Sequence, residues 1–181
     1  MRTTLLRSRP AREAAPSPPR RLLRLHRHSL SHVLVLGGRA DERARAALAF
    51  HRTSPLRLGP FVRVECGRDE ARVVLSLRSW LAGGEAAAGA CPLRAAERGM
   101  LFLDDVDRLS TPAQRLLLAF VARRLDPTRG ADPDSWGGRL AAGTAENLDF
   151  AAARGTFLPA LYDCLDKVRI ELDGLRHGGA A

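Results

Sequence analysis

Five short apolar runs recur along the chain, separated by stretches whose apolar residues fall at helical spacing. "HVLVLGG" (residues 32–38) is unbroken up to its glycines, and "GMLFLDDVDRL" (99–109) carries four apolar residues, Met100 to Leu103, straight into Asp104 and Asp105. Unbroken runs of this length indicate strands buried on both faces, as in a parallel sheet. "FVRVECG" alternates partially, and "RLAAGTA" and "KVRIELDGL" complete the set. Strands are therefore predicted near 32–37, 61–66, 99–104, 138–143 and 167–172. Between them, "RADERARAALAFHRTS" is helix-forming, and "DEARVVLSLRSWL" places Val73, Leu77, Trp80 and Leu81 on one helical face. In "STPAQRLLLAFVARRL", Ser110 or Thr111 suits an N-cap and Pro112 the first turn. "GTFLPALYDCL" predicts a short helix, while "AGGEAAAGACP" (82–92) and "DPTRGADPDSWGG" (126–138) read as loops. Strands alternating with helices predict a three-layer αβα domain around a five-stranded parallel sheet with right-handed crossovers.

With 181 residues the chain is long enough for one domain with a real core. No apolar run approaches the roughly 20 residues of a membrane span. The three cysteines, Cys66, Cys91 and Cys164, form no CxxC pair, so we expect a reducing cytoplasm and neither a disulfide framework nor a zinc site.

The net charge of +9 changes the picture only locally. Residues 1–28 hold eight arginines and one acid, Glu13, which accounts for most of it. This segment is basic and proline-bearing, and is expected to be a disordered tail or an Arg-rich transit peptide. Within and just beyond it, "LLRLHRHSL" (22–30) suits a short basic helix, touching nucleic acid or membrane on one reading and packed on the sheet edge on the other. The folded remainder is not basic, and nucleic-acid binding by it has little electrostatic support.

Candidate chemistry centres on Asp104 and Asp105. Carboxylates at the C-terminal end of a buried parallel strand stand where open α/β sheets bind ligands. An apolar strand ending in two acids has the form of a Walker B segment, which holds magnesium and activates water for nucleotide hydrolysis. Such a segment needs a glycine-rich loop to cradle the phosphates.

Three stretches, taken in order, resemble the central AAA+ ATPase domain of bacterial sigma-54 activators over roughly residues 30–176. "ALAFHRTSPLRLGPFVRVEC" (47–66) follows the family's landmarks after its phosphate loop. "GMLFLDDVDRLSTPAQRLLLAFV" resembles its "GTLFLDEI…L…Q…LL" segment, and "RLAAGTAENLDFAAARGTFLPALYDCLDKVRIELDGLR" its sensor strand, arginine-finger segment and last strand. The resemblance implies a P-loop NTPase-like AAA+ core with the Walker B strand inside the sheet beside the first strand. It also locates the phosphate loop, G-x-x-G-x-G-K in the family, at "GGRADER" (37–43).

Against that pattern the chain has lost most of its catalytic residues. Gly37 stands in place and Gly38 follows it, but Ala40 and Glu42 occupy the other two glycine positions and Arg43 the lysine position. Ala40 and Glu42 restrict the positive-φ geometry that converges amides on phosphate. At about 5 Å and an effective dielectric near 20, Glu42 would repel each phosphate charge by roughly 3 kcal/mol before screening. Asp105 stands at the water-activating glutamate and is one methylene shorter. Ala145 falls at the sensor asparagine, and Leu158 and Cys164 at the arginine fingers, with Arg154 out of register. The "GAFTGA" loop that contacts sigma-54 has no counterpart in "AGGEAAAGACPLRAAERG".

The resemblance thus implies a degenerate sigma-54-interaction domain over residues 29–176, between the basic tail 1–28 and a short tail 177–181. Lid subdomain and DNA-binding helix-turn-helix are expected to be absent, since few residues follow the last strand. Asp104 and Asp105 are the catalytic candidates, with Asp104 the magnesium ligand if nucleotide binds; Gly37, Gly38 and Arg43 are the phosphate-loop candidates. The expected function is that of a pseudo-ATPase acting in transcriptional regulation through protein contacts, without cofactor, as a cytoplasmic monomer or weak dimer. Its expected partner is an intact AAA+ relative or the transcription machinery, not a membrane. The competing readings are a weak ATP/Mg-binding switch with residual ATPase activity, and an interaction module with a nucleic-acid-binding basic tail.

Overall fold

The structure, a computed structural model, describes residues 20–83, 91–125 and 136–173. The first 19 residues of the basic tail, much of both small-residue loops and the C-terminal tail lie outside the described residues. All five strands form where the apolar runs place them: β1 (Val33–Leu36), β2 (Phe61–Glu65), β3 (Met100–Asp104), β4 (Arg139–Thr144) and β5 (Val168–Glu171). They make one parallel sheet in the order β2-β3-β4-β1-β5. The Asp104 strand is internal, as expected, but it does not lie beside β1. β4 intervenes and pairs with both, Leu101 opposite Leu140 and Val33 opposite Ala141. The strand order is set by which long crossovers close, and local pattern carries no record of that.

The seven helices among the described residues are α1 (Arg20–Leu25), α2 (Ala40–Thr53), α3 (Cys66–Leu81), α4 (Pro92–Ala95), α5 (Thr111–Leu125), α6 (Leu148–Ala153) and α7 (Pro159–Leu165). α4 and α6 are too short to leave a periodic signal. Pro92 at the first turn opens α4, and the Asn147 carboxamide accepts from Phe150 N at 3.2 Å to cap α6. At the start of α5, Ser110 O accepts the first helical hydrogen bond from Gln114 N, but the Ser110 hydroxyl donates to Glu70 instead of capping. α1 packs against α2. Only Leu23 of its described side chains reaches the core, while Leu25 is exposed.

Period-two alternation assigns the two faces of the sheet. Leu34, Leu36, Leu101 and Leu103 face α3, α5 and α7, in a cluster with Leu117, Phe120 and Trp136. Val33, Val35, Met100, Phe102 and Ile170 face α2, against Ala46, Ala47 and Phe50. Buried Gln114 ties the first of these layers together, donating to Leu109 O and accepting from Leu158 N. Asp104 continues the 100–102–104 series, so it points to the α2 side, and Arg43 meets it there.

Candidate functional site

On α2 the buried positions include Arg43, Ala46, Ala47 and Phe50, at i, i+3, i+4 and i+7. Arg43 therefore lies on the core stripe of the helix, not on its loop-facing side. Its side chain is only 3% exposed. The guanidinium reaches the C-terminal end of β3: Nε donates to Asp104 Oδ1 at 2.6 Å, one terminal nitrogen to Asp105 Oδ1 at 2.6 Å, and the other to Gly38 O at 2.9 Å. Arg63, opposite Phe102 in the β2–β3 register, occupies the second Asp104 oxygen, Nη2 to Oδ2 at 2.6 Å.

Gly143 leaves the space taken by the Phe102 ring and the Asp104 carboxylate. A Cβ there would lie 2.7 Å from the Phe102 ring and 3.1 Å from Asp104 Oδ1, the oxygen that accepts from Arg43. Asp105 adopts the left-handed region, φ 52°, a conformation Asp tolerates better than most residues, and so starts the 3-10 turn Val106–Arg108. Burial raises the pKa of its carboxyl, opposed by Arg43 and assisted by Asp104 and Asp107.

The loop between β1 and α2 keeps part of the expected backbone geometry. Gly37 and Gly38 both have positive φ, 78° and 64°. Its amides, however, are directed to the protein itself: Gly37 N donates to Thr144 O, Gly38 N to Asp173 O, and Arg39 N to Glu42 Oε2 at 2.7 Å. The Glu42 carboxylate is thus itself the anion held at the start of α2, where the loop would turn its N–H groups to a phosphate. Beside it opens a cavity of about 350 Å³ lined by Gly38, Arg39, Ala40, Arg43, Asp105, Asp107, Arg108, Ala145 and Glu146. On the sensor strand, the Thr144 hydroxyl donates to Asp107 Oδ1 and accepts from Glu146 N.

All five candidate residues, Gly37, Gly38, Arg43, Asp104 and Asp105, are brought to one end of the sheet. Their pairing differs from the expectation. The resemblance makes Arg43 a phosphate ligand, but its donors are directed to the two aspartates and a loop carbonyl. A magnesium ion on Asp104 would have to displace two guanidinium groups, so the residues as arranged do not fit it. Arg63 escaped the sequence reading, although its place two residues before Glu65 in a strand that pairs with β3 aims it at Asp104. The sign for Arg43 was its place on the Ala46–Ala47–Phe50 stripe. Among the described residues no group of three or more His, Cys, Asp or Glu could hold a metal ion, and no helix is long and apolar enough to cross a membrane.

Comparison with known proteins accounts for this arrangement of strands and loops. Residues 14–171 match the sigma-54 interaction domain. The chain is 35% identical over 158 residues to the C4-dicarboxylate transport transcriptional regulatory protein DctD of Pseudomonas aeruginosa, covering 81% of this chain and 33% of that protein. It is 34% identical over 153 residues to the Nif-specific regulatory protein of Rhodobacter capsulatus, covering 80% of this chain and 26% of the relative. The chain thus spans about a quarter to a third of the length of these regulators. Among solved structures, the P-loop NTPase domain of an Escherichia coli sigma-54 transport activator superposes with a TM-score of 0.55 at 18% identity, over 84% of this chain and 90% of that one. NtrX from Brucella abortus in complex with ATP superposes with a TM-score of 0.64 at 24% identity, over 84% and 34%. These likenesses show the AAA+ P-loop NTPase fold, and with the match across most of its length the chain belongs to the sigma-54 interaction domain family of bacterial transcriptional regulators.

Proposed function

We propose that this domain is a non-hydrolysing member of its family, a pseudo-ATPase that takes part in transcriptional regulation through protein contacts. The observation that carries the reading is Arg43. A lysine at this loop position would present a compact ammonium to the phosphates, whereas the Arg43 fork closes on Asp104, Asp105 and Gly38 O. Asp104 is then neutralised from both sides, and Glu42 stands where a phosphate would be cradled. Ala145 offers no amide to position water, and Leu158 and Cys164 offer no arginine to a neighbouring subunit. Groups that act as a unit are non-additive, so these losses together leave little hydrolysis. Without nucleotide to bridge subunits, we expect a monomer or weak dimer whose partner is a protein: an intact AAA+ relative or the transcription machinery.

The cavity beside the loop supports a second reading, a weak nucleotide-binding switch, since Arg39 and Arg108 line it. Calorimetric titration of the full chain with MgATP separates the two. No binding heat is expected from the unmodified protein, and the triple change Ala40→Gly, Glu42→Gly and Arg43→Lys is expected to restore binding without turnover. ATP turnover by the unmodified protein that Asp104→Ala abolishes would overturn the proposal.

A further inference from the structure

At the opposite end of the sheet, where the strands begin, α1 and the loop that leaves α2 enclose a second cleft of about 530 Å³. Arg24, Arg27 and His28 line one wall, Arg57 stands on the other, and Leu23, Thr53, Ser54 and Pro55 complete it. All four basic side chains are exposed. No acidic residue occurs from 14 to 40 or from 43 to 64, the stretches that contribute both walls. Neither wall therefore carries a carboxylate of its own. The charge continues past the cleft, with Arg21 on α1 and Arg52 at the end of α2.

We propose that this cleft binds the phosphate backbone of a nucleic-acid duplex. Guanidinium groups pair with phosphate through parallel N–H donors, and a row of them with no interspersed acid matches a regular polyanion. A single strand is held through bases stacked on aromatic rings, and no Phe, Tyr or Trp is among the described residues that line the cleft. Arg24, Arg27 and His28 belong to the basic segment 1–28, and the cleft sets them opposite Arg57 of the folded remainder, whose acids lie elsewhere, Asp104, Asp105 and Asp107 among them at the other end of the sheet. The site stands independently of the nucleotide-free reading above, since it shares no residue with the loop of 37–43.

The test is fluorescence anisotropy with a short labelled DNA duplex and the full chain, titrated between about 50 and 200 mM salt. The triple change Arg24→Ala, Arg27→Ala and Arg57→Ala is expected to raise Kd about tenfold or more at the lower salt. It should also reduce the slope of log K against log salt by about 0.9 for each phosphate no longer neutralised. Removing equal charge elsewhere, by Arg68→Ala, Arg94→Ala and Arg115→Ala, should leave both unchanged; these three arginines are also exposed. A further variant with alanine at arginines 2, 7, 9 and 12 should retain measurable duplex binding. The proposal is overturned if the control triple weakens binding as much as the cleft triple. It is equally overturned if the tail variant loses all binding, if a poly-glutamate peptide or a single strand binds as tightly as the duplex, or if no binding is seen at the lowest salt.

Discussion

Each end of the sheet buries an arginine, and the two are solvated in opposite ways. At the C-terminal end Arg43 gives its donors to two carboxylates and a carbonyl. At the other end Arg139 opens β4, fully buried, with Nε on Ser31 O at 2.9 Å and its guanidinium 5.6 Å from the centre of the Phe50 ring. Among the described residues both of its terminal nitrogens are without a hydrogen-bond partner, and burial pushes its pKa down to about 10. A buried cation matched by carboxylates is held in one place by them; one matched by a carbonyl and a ring face bears most of its desolvation uncompensated. The difference indicates that the Arg43 network organises the end of the sheet that carries Asp104 and Asp105, whereas Arg139 is a cost the core carries.

Removing the anion from the matched end should have the largest effect. Asp104→Ala leaves Arg43 buried without its main partner and Arg63 unpaired, and is expected to lower unfolding free energy by about 3–5 kcal/mol in urea denaturation. A loss below about 1 kcal/mol would mean that the network does not hold the guanidinium. Crowding the same pair comes next. Gly143→Ala places a methyl against the Phe102 ring and Asp104 Oδ1, and should cost about 1–3 kcal/mol by the same measurement.

At the unmatched end the sign reverses. Arg139→Met keeps much of the packing against Phe50 and removes the uncompensated charge, so it should raise stability by about 1 kcal/mol. A clear fall in melting temperature would show that the Arg139 charge is compensated and erase the contrast.

The smallest effect is a pH dependence at that end. His51 is buried, its pKa lowered chiefly by burial and further by Arg139, while its bond to Gly59 O opposes the shift. Its folded pKa lies below the unfolded value near 6.5, so the unfolded chain takes up protons first. Stability should be full above about pH 6.5 and fall as the medium is acidified below it. Comparing thermal unfolding at neutral and mildly acidic pH, the unmodified protein should lose more than His51→Gln. Equal losses would assign the dependence to other groups; Asp105 is not one of them, since a carboxyl pKa raised by burial favours the folded state on acidification.

Much of this was legible before any coordinates. The apolar runs mark all five strands because a strand buried on both faces has few polar positions, and the periodicity of α2, α3 and α5 survives because each is longer than three turns. Short elements escaped: α4 and α6 are made by a proline and an asparagine cap, not by a stripe. The five candidate residues were named from their positions, yet their pairing was not, because 61 residues separate Arg43 from Asp104. Arg139 also passed unnoticed, one charge inside an otherwise apolar strand.

Residue types and spacing by themselves settled which segments become strands and helices and which face of each is apolar. These are properties of neighbours in the chain, governed by periods of two and 3.6 residues. Tertiary structure alone decided that β4 lies between β1 and β3, that Arg43 meets Asp104 and Asp105, and that the basic residues of α1 and Arg57 face one cleft. Those outcomes depend on which distant surfaces bury one another, and a charge acquires its role only from the partner that burial brings to it.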